Sequence, residues 1–397
     1  MTKFRYVLVL SAIAISLGGV TQQAAAATTT PCSQTLSVGA NIASAVANAA
    51  NDSTICLNSG NYGSVDFNSI SRSGYVTLRS TSGVGANIAI NVNYSKYIKF
   101  QNLTATGGQI LGCAQNIQVL DSTFTNGLLV MSVGCGVPLN VLLDGNQFGD
   151  IGQALYEGRL SIRGDSGTKP IGVTVTNNRF GPGCKSDGIQ VVGSTANLAI
   201  GPGNVFDGII QAGAVHCDSI QFYGDGRDNV VTGNLFRNSS VALQHQASGT
   251  EPTHTLFTNN VISNVNQLQV GNSADFVFDH NTVYNLTDVF RFNTEPSSNV
   301  SYRSNIVMGN TAGPPGGTTT SAYNLCTSSA LCGGSSNAVV GTPSFVGGSP
   351  ASISTLAGWQ LAAGSVGKGA GHDGQDIGAV SAAVQLPAPP TNLRVLP

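Results

Sequence analysis

The residues best suited to chemistry lie between Cys184 and Gln246. One polar phrase repeats there, as Asp-Gly-Ile-Gln at 187–190, as Asp-Ser-Ile-Gln at 218–221, and more weakly as Leu-Gln-His at 243–245. Two carboxylates that recur at one period, with histidines and cysteines beside them, are typical of a site built on a repeating scaffold. We expect the carboxylates of Asp187 and Asp218 to lie on neighbouring turns, on the order of 5 Å apart.

Carboxyl groups at that separation favour acid–base work. Like charges so close raise one pKa, so that one carboxyl stays protonated while the other is ionised. Glycoside hydrolysis uses such a pair, with an acid for the leaving oxygen and a base or nucleophile. Two histidines of the stretch could tune the pair or share the proton transfer, namely His216 and His245. We therefore predict a catalytic centre at Asp187 and Asp218.

Further polar residues of this stretch are candidates for substrate binding. Gln190, Gln221 and Gln244 would line up on neighbouring turns as donors to sugar hydroxyls, and Tyr223 could offer a stacking surface. Asp225 lies in a turn-forming Gly-Asp-Gly-Arg-Asp stretch at the expected edge of a cleft, and Arg291 follows two turns later.

The aspartates also allow two other interpretations. Aspartate often fixes turns by accepting backbone N–H groups, and stacked carboxylates with carbonyl oxygens can hold Ca²⁺. If Ile189 and Ile220 face the core, Asp187 and Gln190 can share a side only where a turn near Gly188 interrupts the alternation.

A different reaction would need cations. β-Elimination on a uronate requires a base for the C5 proton and a cation or Ca²⁺ that neutralises the carboxylate. Lys185 and Arg227 flank the aspartates, in a chain with only 17 basic residues. They are the candidate cations of this lyase alternative.

Composition restricts the class of protein. Only 9% of residues are charged, against about 25% in an average protein. Disorder requires low hydrophobicity with high net charge, whereas here 41% of residues are hydrophobic and the net charge is −2. A near-zero charge argues against a nucleic-acid or membrane-surface partner.

The two ends of the chain have compositions typical of segments outside the folded domain. Residues 1–27 combine Lys3 and Arg5, an apolar run and small residues, as a secretory signal peptide does. The tail 381–397 is Pro-rich. We expect a secreted or periplasmic monomer whose folded domain spans 28–380.

Eight cysteines fit an oxidising compartment. Sequential pairing gives Cys32–Cys56, Cys113–Cys135, Cys184–Cys217 and Cys326–Cys332. Three of these separations are close to the repeat period described next, which would bring the partners onto adjacent turns. Connectivity does not follow from sequence alone.

A short strand-like unit recurs along the chain. Alternating apolar residues lead to a polar step, an asparagine, any residue and an apolar one, with asparagines 21 to 32 residues apart. The aligned asparagines are Asn146, Asn178, Asn204, Asn234, Asn260, Asn281 and Asn305. Repeats of this length signal a repeat architecture, and the content of two or three strands per unit is that of a parallel β-helix. Stacked amides would satisfy the turns.

The flanks of the repeat fit caps. Residues 36–50 have the spacing of one short amphipathic helix, which would shield the first coil. Residues 342–380 are expected to close the last coil. The fold class is therefore an all-β, single-stranded parallel β-helix (a β-solenoid) with an N-terminal helical cap.

The chain resembles the secreted right-handed parallel β-helix proteins of the pectate-lyase-like superfamily. The resemblance rests on the opening after Cys32, on the asparagine-bearing coils, and on Asp-Ile-Gly-Ala at 376–379. A looser resemblance to the polygalacturonase branch implies catalytic roles for Asp187, Asp218 and His245. Position 217 is Cys where that branch has a further aspartate, and Gln246 replaces a glycine.

Three functions follow as hypotheses. The first is hydrolysis of a polysaccharide in a groove along the β-helix, with Asp187 and Asp218 at its centre. The second is β-elimination on an acidic glycan of the pectate or alginate kind, with Ca²⁺ held by the same aspartates. The third is a non-catalytic glycan-binding or adhesin-type protein.

Overall fold

Parallel strands pair from one coil to the next between Gln34 and Val340. The computed structural model describes residues 30–132, 135, 139–151, 157–164, 172–213, 216–224, 226–246, 254–271, 273–292 and 297–379. The chain divides into two units, Met1–Pro31 and Cys32–Pro397, and the coils form within the second. The predicted signal peptide 1–27 and tail 381–397 lie outside the described residues. Among those described, no helix is long and apolar enough to cross a membrane.

One sheet, called sheet A here, receives one strand from each coil. Its strands follow chain order, because each pairs in parallel with the strand one coil later. Within the described residues the thirteen strands are Gln34–Leu36, Thr54–Leu57, Val76–Ser80, Lys96–Gln101, Gln115–Leu120, Val141–Asp144, Val173–Thr176, Leu198–Ile200, Asn229–Thr232, Thr255–Thr258, Val277–Asp279, Ser301–Arg303 and Thr320–Ala322.

The second sheet, sheet B, holds the remaining long strands and the candidate site. Its seventeen strands in the described part of the chain are Gly60–Asn68, Ala86–Asn93, Thr104–Leu111, Thr123–Phe124, Leu128–Ser132, Gln147–Phe148, Gly158–Gly164, Arg179–Phe180, Asp187–Val192, Val205–Asp207, Ile220–Tyr223, Leu235–Gln246, Val261–Val270, Thr282–Arg291, Ile306–Met308, Leu325–Cys326 and Val339–Val340. A small third sheet pairs Thr195–Ala196 with Gly226–Arg227. The predicted parallel β-helix is confirmed.

The asparagines of the repeat form a continuous buried ladder. Asn178 is typical, since its Nδ2 donates to the carbonyl of Leu143 at 2.9 Å and to Oδ1 of Asn204 at 3.1 Å. The ladder extends one rung beyond the sequence prediction, to Asn324. A column of stacked rings lies beside it, with centroids 4.4 to 4.9 Å apart, formed by Phe124, Phe148, Phe180, Phe206 and Phe236. From Asn146 to Phe236, each coil thus adds one amide and one aromatic side chain to the core.

Both ends of the β-helix are covered. The helix Ile42–Asn48 is capped by Asn41, whose side chain accepts from a backbone N–H, and it buries an apolar face as predicted. The C-terminal segment contains the helix Ser329–Cys332 and the 3-10 turns Pro350–Ser352 and Leu356–Trp359. The fully buried Trp359 belongs to a cluster that includes Leu235 and Ile306. This segment therefore packs along the side of several coils, whereas the sequence suggested only closure of the last one.

The eight cysteines lie in four disulfides in sequential order. The pairs are Cys32–Cys56, Cys113–Cys135, Cys184–Cys217 and Cys326–Cys332, with Cα atoms 5.4 to 5.7 Å apart. The third pair joins the segments that lead into the two aspartate-bearing strands, so it restrains the position of one relative to the other.

Candidate active site

A local irregularity puts Asp187 and Gln190 on the same side of their strand. A Cβ on Gly188 would lie 3.2 Å from the ring of Phe206, inside the core, and Ile189 is fully buried in that core. Two consecutive positions therefore face inward, and their neighbours on either side face outward. This is the interruption that the sequence analysis required near Gly188.

The next two coils repeat the arrangement. Ile189, Ile220 and Leu243 occupy one register position, and Gln190, Gln221 and Gln244 occupy the next. On the third coil both Ala242 and Leu243 enter the core, and the register towards the following strand shifts between Val241 and Leu243. The outward position held by aspartate on two coils is thus held by Val241 on the third.

Asp187 and Asp218 form a buried carboxyl pair. Their relative exposures are 3% and 0%, and the backbone N–H of Asp218 donates to Oδ1 of Asp187 at 2.7 Å. Neither carboxylate oxygen of Asp218 accepts a hydrogen bond from the described residues. A buried carboxylate without donors is costly to ionise.

The electrostatics of the pair follow from this burial. Burial raises the pKa of Asp218 to about 8, and the neighbouring charge of Asp187 adds to the effect. Burial also raises the pKa of Asp187 to about 7, against the lowering effect of the hydrogen bond from Asp218. The pair therefore retains a proton at neutral pH, as close like charges in a dry site must.

His216 connects this pair to the surface. Its Nε2 lies 3.5 Å from Oδ1 of Asp218, and its side chain is 51% exposed. An imidazole that rests on a carboxyl group and faces solvent can take a proton from a substrate and return it. The structure thus brings together three predicted residues, namely Asp187, Asp218 and His216.

A row of polar side chains runs across sheet B beside the pair. In register order the row contains Ser161, Gln190, Gln221, Gln244, Gln269 and Arg291. Gln190 donates to Gln221 at 2.9 Å, and Arg291 donates to Gln269 at 2.9 Å. The first four members are buried although they face away from the core, so they form a recessed floor. We call this row the amide floor.

The other predicted surface residues lie beyond this floor or outside the described residues. Tyr223 ends the strand Ile220–Tyr223 and is 45% exposed. Asp225 lies outside the described residues.

The two predicted cations are placed elsewhere. Lys185 is exposed, and its Nζ donates to the carbonyl of Asp150 at 3.2 Å and lies 3.7 Å from its carboxylate. Arg227 is exposed on the small third sheet, beyond the carboxyl end of the strand Ile220–Tyr223. Neither side chain is among the charges that shift the pKa of Asp187 or Asp218. Their role as cations for a substrate carboxylate stays a prediction.

His245 is also separated from the pair. It follows Gln244 directly, so strand alternation turns it inward, and it is fully buried against Phe222 with ring centroids 5.6 Å apart. Its Nδ1 lies 2.8 Å from the carbonyl of Gly271, and burial lowers its pKa to about 4. The expectation that His245 shares proton transfer with the aspartates is therefore wrong, because it is a neutral core histidine.

The structure adds two neighbours that the sequence analysis missed. Glu157 accepts a hydrogen bond from Gln190 at 3.1 Å, and its charge helps to raise the pKa of Asp187. Arg159 is fully buried, donates to the carbonyl of Gly183 at 2.5 Å, and lowers the pKa of Asp187. Their sequence signal is a charged cluster at 157–163 in a chain with few charges.

The ligand atoms of the site limit which metal ion it could bind. Ligand atoms of Asp187, His216 and Asp218 lie within 4.8 Å of one another. Ca²⁺ takes six to eight oxygen ligands, whereas this cluster of described residues offers two carboxylates and one imidazole. The cluster is a possible acidic metal site with fewer oxygen ligands than Ca²⁺ takes, and no step of the reaction below is assigned to a metal ion.

Comparison with known proteins defines the fold class. No family model matches the chain, and no curated protein matches it in sequence. A mutant of the PL6-family alginate lyase AlyGC aligns with a TM-score of 0.53 at 13% identity, over 87% of this chain and 58% of that one. The chain thus spans less than two thirds of the length of that enzyme. At this identity the likeness concerns the fold alone.

Two further structures are similar at lower scores. The pectate lyase Pel9A aligns with a TM-score of 0.43 at 12% identity, over 88% of this chain and 97% of that one. The PL6 polysaccharide lyase Pedsa3628 from Pseudopedobacter saltans aligns with a TM-score of 0.38 at 11% identity, over 78% of this chain and 91% of that one. The protein is a parallel β-helix, the fold that it shares with the AlyGC mutant.

Proposed function

We propose that this protein is a secreted lyase that cuts an acidic polysaccharide by β-elimination in the recess above sheet B. The observation that carries the proposal is the exposed imidazole of His216 above a buried carboxyl pair, next to the amide floor. The solved structures of the same fold include alginate and pectate lyases, which agrees with this class of substrate. Four disulfides support export to an oxidising compartment.

The reaction assigns the base to His216. Its other ring nitrogen, Nδ1, takes the proton from C5 of a 4-linked uronate, the C4–O4 bond breaks, and a C4–C5 double bond forms. The imidazolium then returns the proton to the leaving O4, so that atoms and charges balance. Asp218 is a positioning residue, since its Oδ1 lies 3.5 Å from Nε2 of His216. It stabilises the imidazolium when the proton that the pair retains is on Asp187.

The amide floor supplies the second requirement of β-elimination, which is a set of donors for the substrate carboxylate. Removal of the C5 proton becomes feasible when the substrate carboxylate is neutralised by hydrogen-bond donors. Gln221 and Gln244 present neutral donors there, and Arg291 adds a positive charge at the end of the row. Fixed donors in a recessed site need little reorganisation during reaction.

Burial of Asp218 favours elimination over hydrolysis. A glycoside hydrolase needs two carboxyl groups that reach the glycosidic bond or a water molecule beside it. Both oxygens of Asp218 are covered, and the exposed titratable group above them is His216. The geometry therefore supports the lyase hypothesis better than the hydrolase that the sequence first suggested.

A paired assay tests this function. The protein is incubated with uronate and neutral polysaccharides, and ultraviolet absorbance of unsaturated uronate is followed alongside new reducing ends. The matched control for His216→Ala is His254→Ala, because His254 is 42% exposed and lies 3.3 Å from Asp275. We expect both signals on a uronate substrate, lost in the first variant and kept in the second. Reducing ends without absorbance would identify a hydrolase, and silence on every glycan would favour a binding protein.

A further inference from the structure

A second titratable cluster lies at the junction of the coils and the C-terminal segment. Asp279 ends a strand of sheet A, His280 follows it directly, and His372 belongs to the Gly-His-Asp-Gly stretch at 371–374. One ligand atom from each of the three lies within 4.8 Å of the other two. Neither the proposed reaction nor the asparagine ladder uses them.

Two polar atoms in this cluster lack hydrogen bonds. The side chain of His280 is only 7% exposed, and its Nε2 has no hydrogen-bond partner among the described residues. Oδ1 of Asp279 is likewise buried and without one. Buried polar atoms that remain unsatisfied in a folded protein point to an absent ligand or ion.

The spacing suits a tetrahedral metal ion. Oδ1 of Asp279 lies 2.9 Å from Nδ1 of His280 and 3.7 Å from Nδ1 of His372. Ligands bound to zinc at about 2.0–2.1 Å are separated by about 3.3 Å in a tetrahedron, and the two distances bracket that value. Two imidazoles and one carboxylate are ligands that Zn²⁺ and similar transition metals prefer over Ca²⁺ or Mg²⁺.

The neighbours supply the outer contacts that such sites use. Nε2 of His280 faces Oδ1 of Asp373 at 3.3 Å without hydrogen-bond geometry, so this carboxylate is placed to orient the ring once Nδ1 holds a metal. Nε of Arg303 lies 3.2 Å from the second oxygen of Asp279, which fixes the carboxylate. Gly371 permits this closeness, because a Cβ there would lie 3.1 Å from Nε2 of His280.

We propose that Asp279, His280 and His372 bind a zinc-like divalent transition metal that clamps the C-terminal segment onto the β-helix. The ligands come from two distant parts of the chain, which already meet at Ser304. Its Oγ accepts from the backbone N–H of His372 at 3.0 Å and lies 2.9 Å from Nδ1 of the same residue, a contact that the metal would replace. A metal bound to both parts stabilises the folded state over the unfolded one. This clamp is independent of the proposed lyase activity.

Metal titration of the full-length mature protein tests the clamp. After chelation, Zn²⁺ is added and followed by calorimetry, and the unfolding midpoint is recorded with and without it. We expect one bound Zn²⁺ per chain and a rise in midpoint on the order of 5 °C. His372→Gln and Asp279→Asn should each weaken Zn²⁺ binding at least tenfold (from roughly the 10- to 100-fold effects seen when contacts of a metal site are lost).

Controls separate this cluster from the other histidines. His254→Ala should bind Zn²⁺ as the parent does, and circular dichroism checks that every variant is folded. Co²⁺ provides a second readout, since its visible absorption reports two imidazoles at a tetrahedral ion. Zn²⁺ binding that survives His372→Gln, or that disappears with His216→Ala instead, would overturn the proposal. A parent protein with neither calorimetric binding nor a midpoint shift would also overturn it.

Discussion

Two columns of stacked polar side chains run through this β-helix, and they differ in whether their atoms are satisfied. In the asparagine ladder, Nδ2 of Asn204 donates to the carbonyl of Val175 at 2.8 Å and to Asn234 at 2.9 Å. In the aspartate column, both oxygens of Asp218 lack hydrogen-bond donors among the described residues. The same coil period therefore yields rigid structure where the polar groups are satisfied, and a reactive site where they are not.

The difference has an energetic cost. A fully bonded buried amide contributes to stability, whereas a buried carboxyl group without donors destabilises its charged form. The aspartates are kept on two coils only, and Val241 takes their place on the third. The destabilising carboxyl groups are therefore confined to two neighbouring coils.

The largest expected effect concerns the reactive column. His216→Ala should reduce kcat on a uronate substrate by about 10²- to 10⁴-fold, because the proton acceptor is removed. The free energy of unfolding should change little, since the side chain is half exposed. Steady-state kinetics with His254→Ala as the matched variant checks this. Equal loss in both variants would mean that surface histidines matter only for solubility or folding.

Loss of an asparagine from the ladder should lower the stability of the protein. Asn234→Ala leaves the carbonyl of Ile200 and the amide of Asn204 without their partner, and should cost about 2–4 kcal/mol of unfolding free energy. Denaturant unfolding measures this, with the exposed Asn310→Ala as control, expected within about 0.5 kcal/mol of the parent. A ladder variant as stable as that control would contradict the structural role.

Replacement of the buried Asp218 by a neutral residue should raise the free energy of unfolding, whereas the ladder variant lowers it. The pKa of Asp218 is raised from 3.8 to about 8, so between these values the folded chain holds a proton that the unfolded chain has lost. Stability therefore falls as pH rises through this window, by at most about 1.4 kcal/mol per pH unit for each such carboxyl. Asp218→Asn should flatten this decline and be more stable than the parent near pH 8.

Unfolding curves at several pH values between about 4 and 8 check this comparison. The parent and Asp218→Asn should be similar at the acid end and diverge as pH rises. If stability changed with pH in the same way in both proteins, the charge of Asp218 would be stabilised in the folded protein. The contrast with the asparagine ladder would then disappear.

The smallest effect is expected in the amide floor. Gln221→Ala removes one neutral donor from a row of several, so KM for a uronate polysaccharide should rise by a few-fold to about tenfold, as for the loss of one hydrogen bond. Gln34→Ala, at an exposed position of the first strand and outside the row, is the control. A loss of kcat with unchanged KM would instead assign Gln221 to the transition state.

The sequence predicted those features that repeat. The asparagine ladder, the strands and the paired Asp-x-Ile-Gln phrases each recur at the coil period, so their relative positions follow from the fold. The irregularity at Gly188 was also required by the pattern, because Asp187 and Gln190 could share a side in no other way.

Features that depend on loops or on distant segments were not predictable in this way. Arg159 reaches the pair through side-chain packing that no periodicity specifies. His280 and His372 meet only because the C-terminal segment folds back along the coils. His245 was misplaced because its nearness in sequence to Gln244 was given more weight than strand alternation, which turns it inward.

The most direct test of the central claim is a kinetic isotope effect at C5 of the substrate. The ultraviolet signal from a uronate oligosaccharide carrying deuterium at C5 is compared with that from the unlabelled one, under saturating substrate. If His216 removes this proton during β-elimination, the labelled substrate should react more slowly, with a primary isotope effect. Cleavage at equal rates, with reducing ends but no ultraviolet signal, would contradict the account.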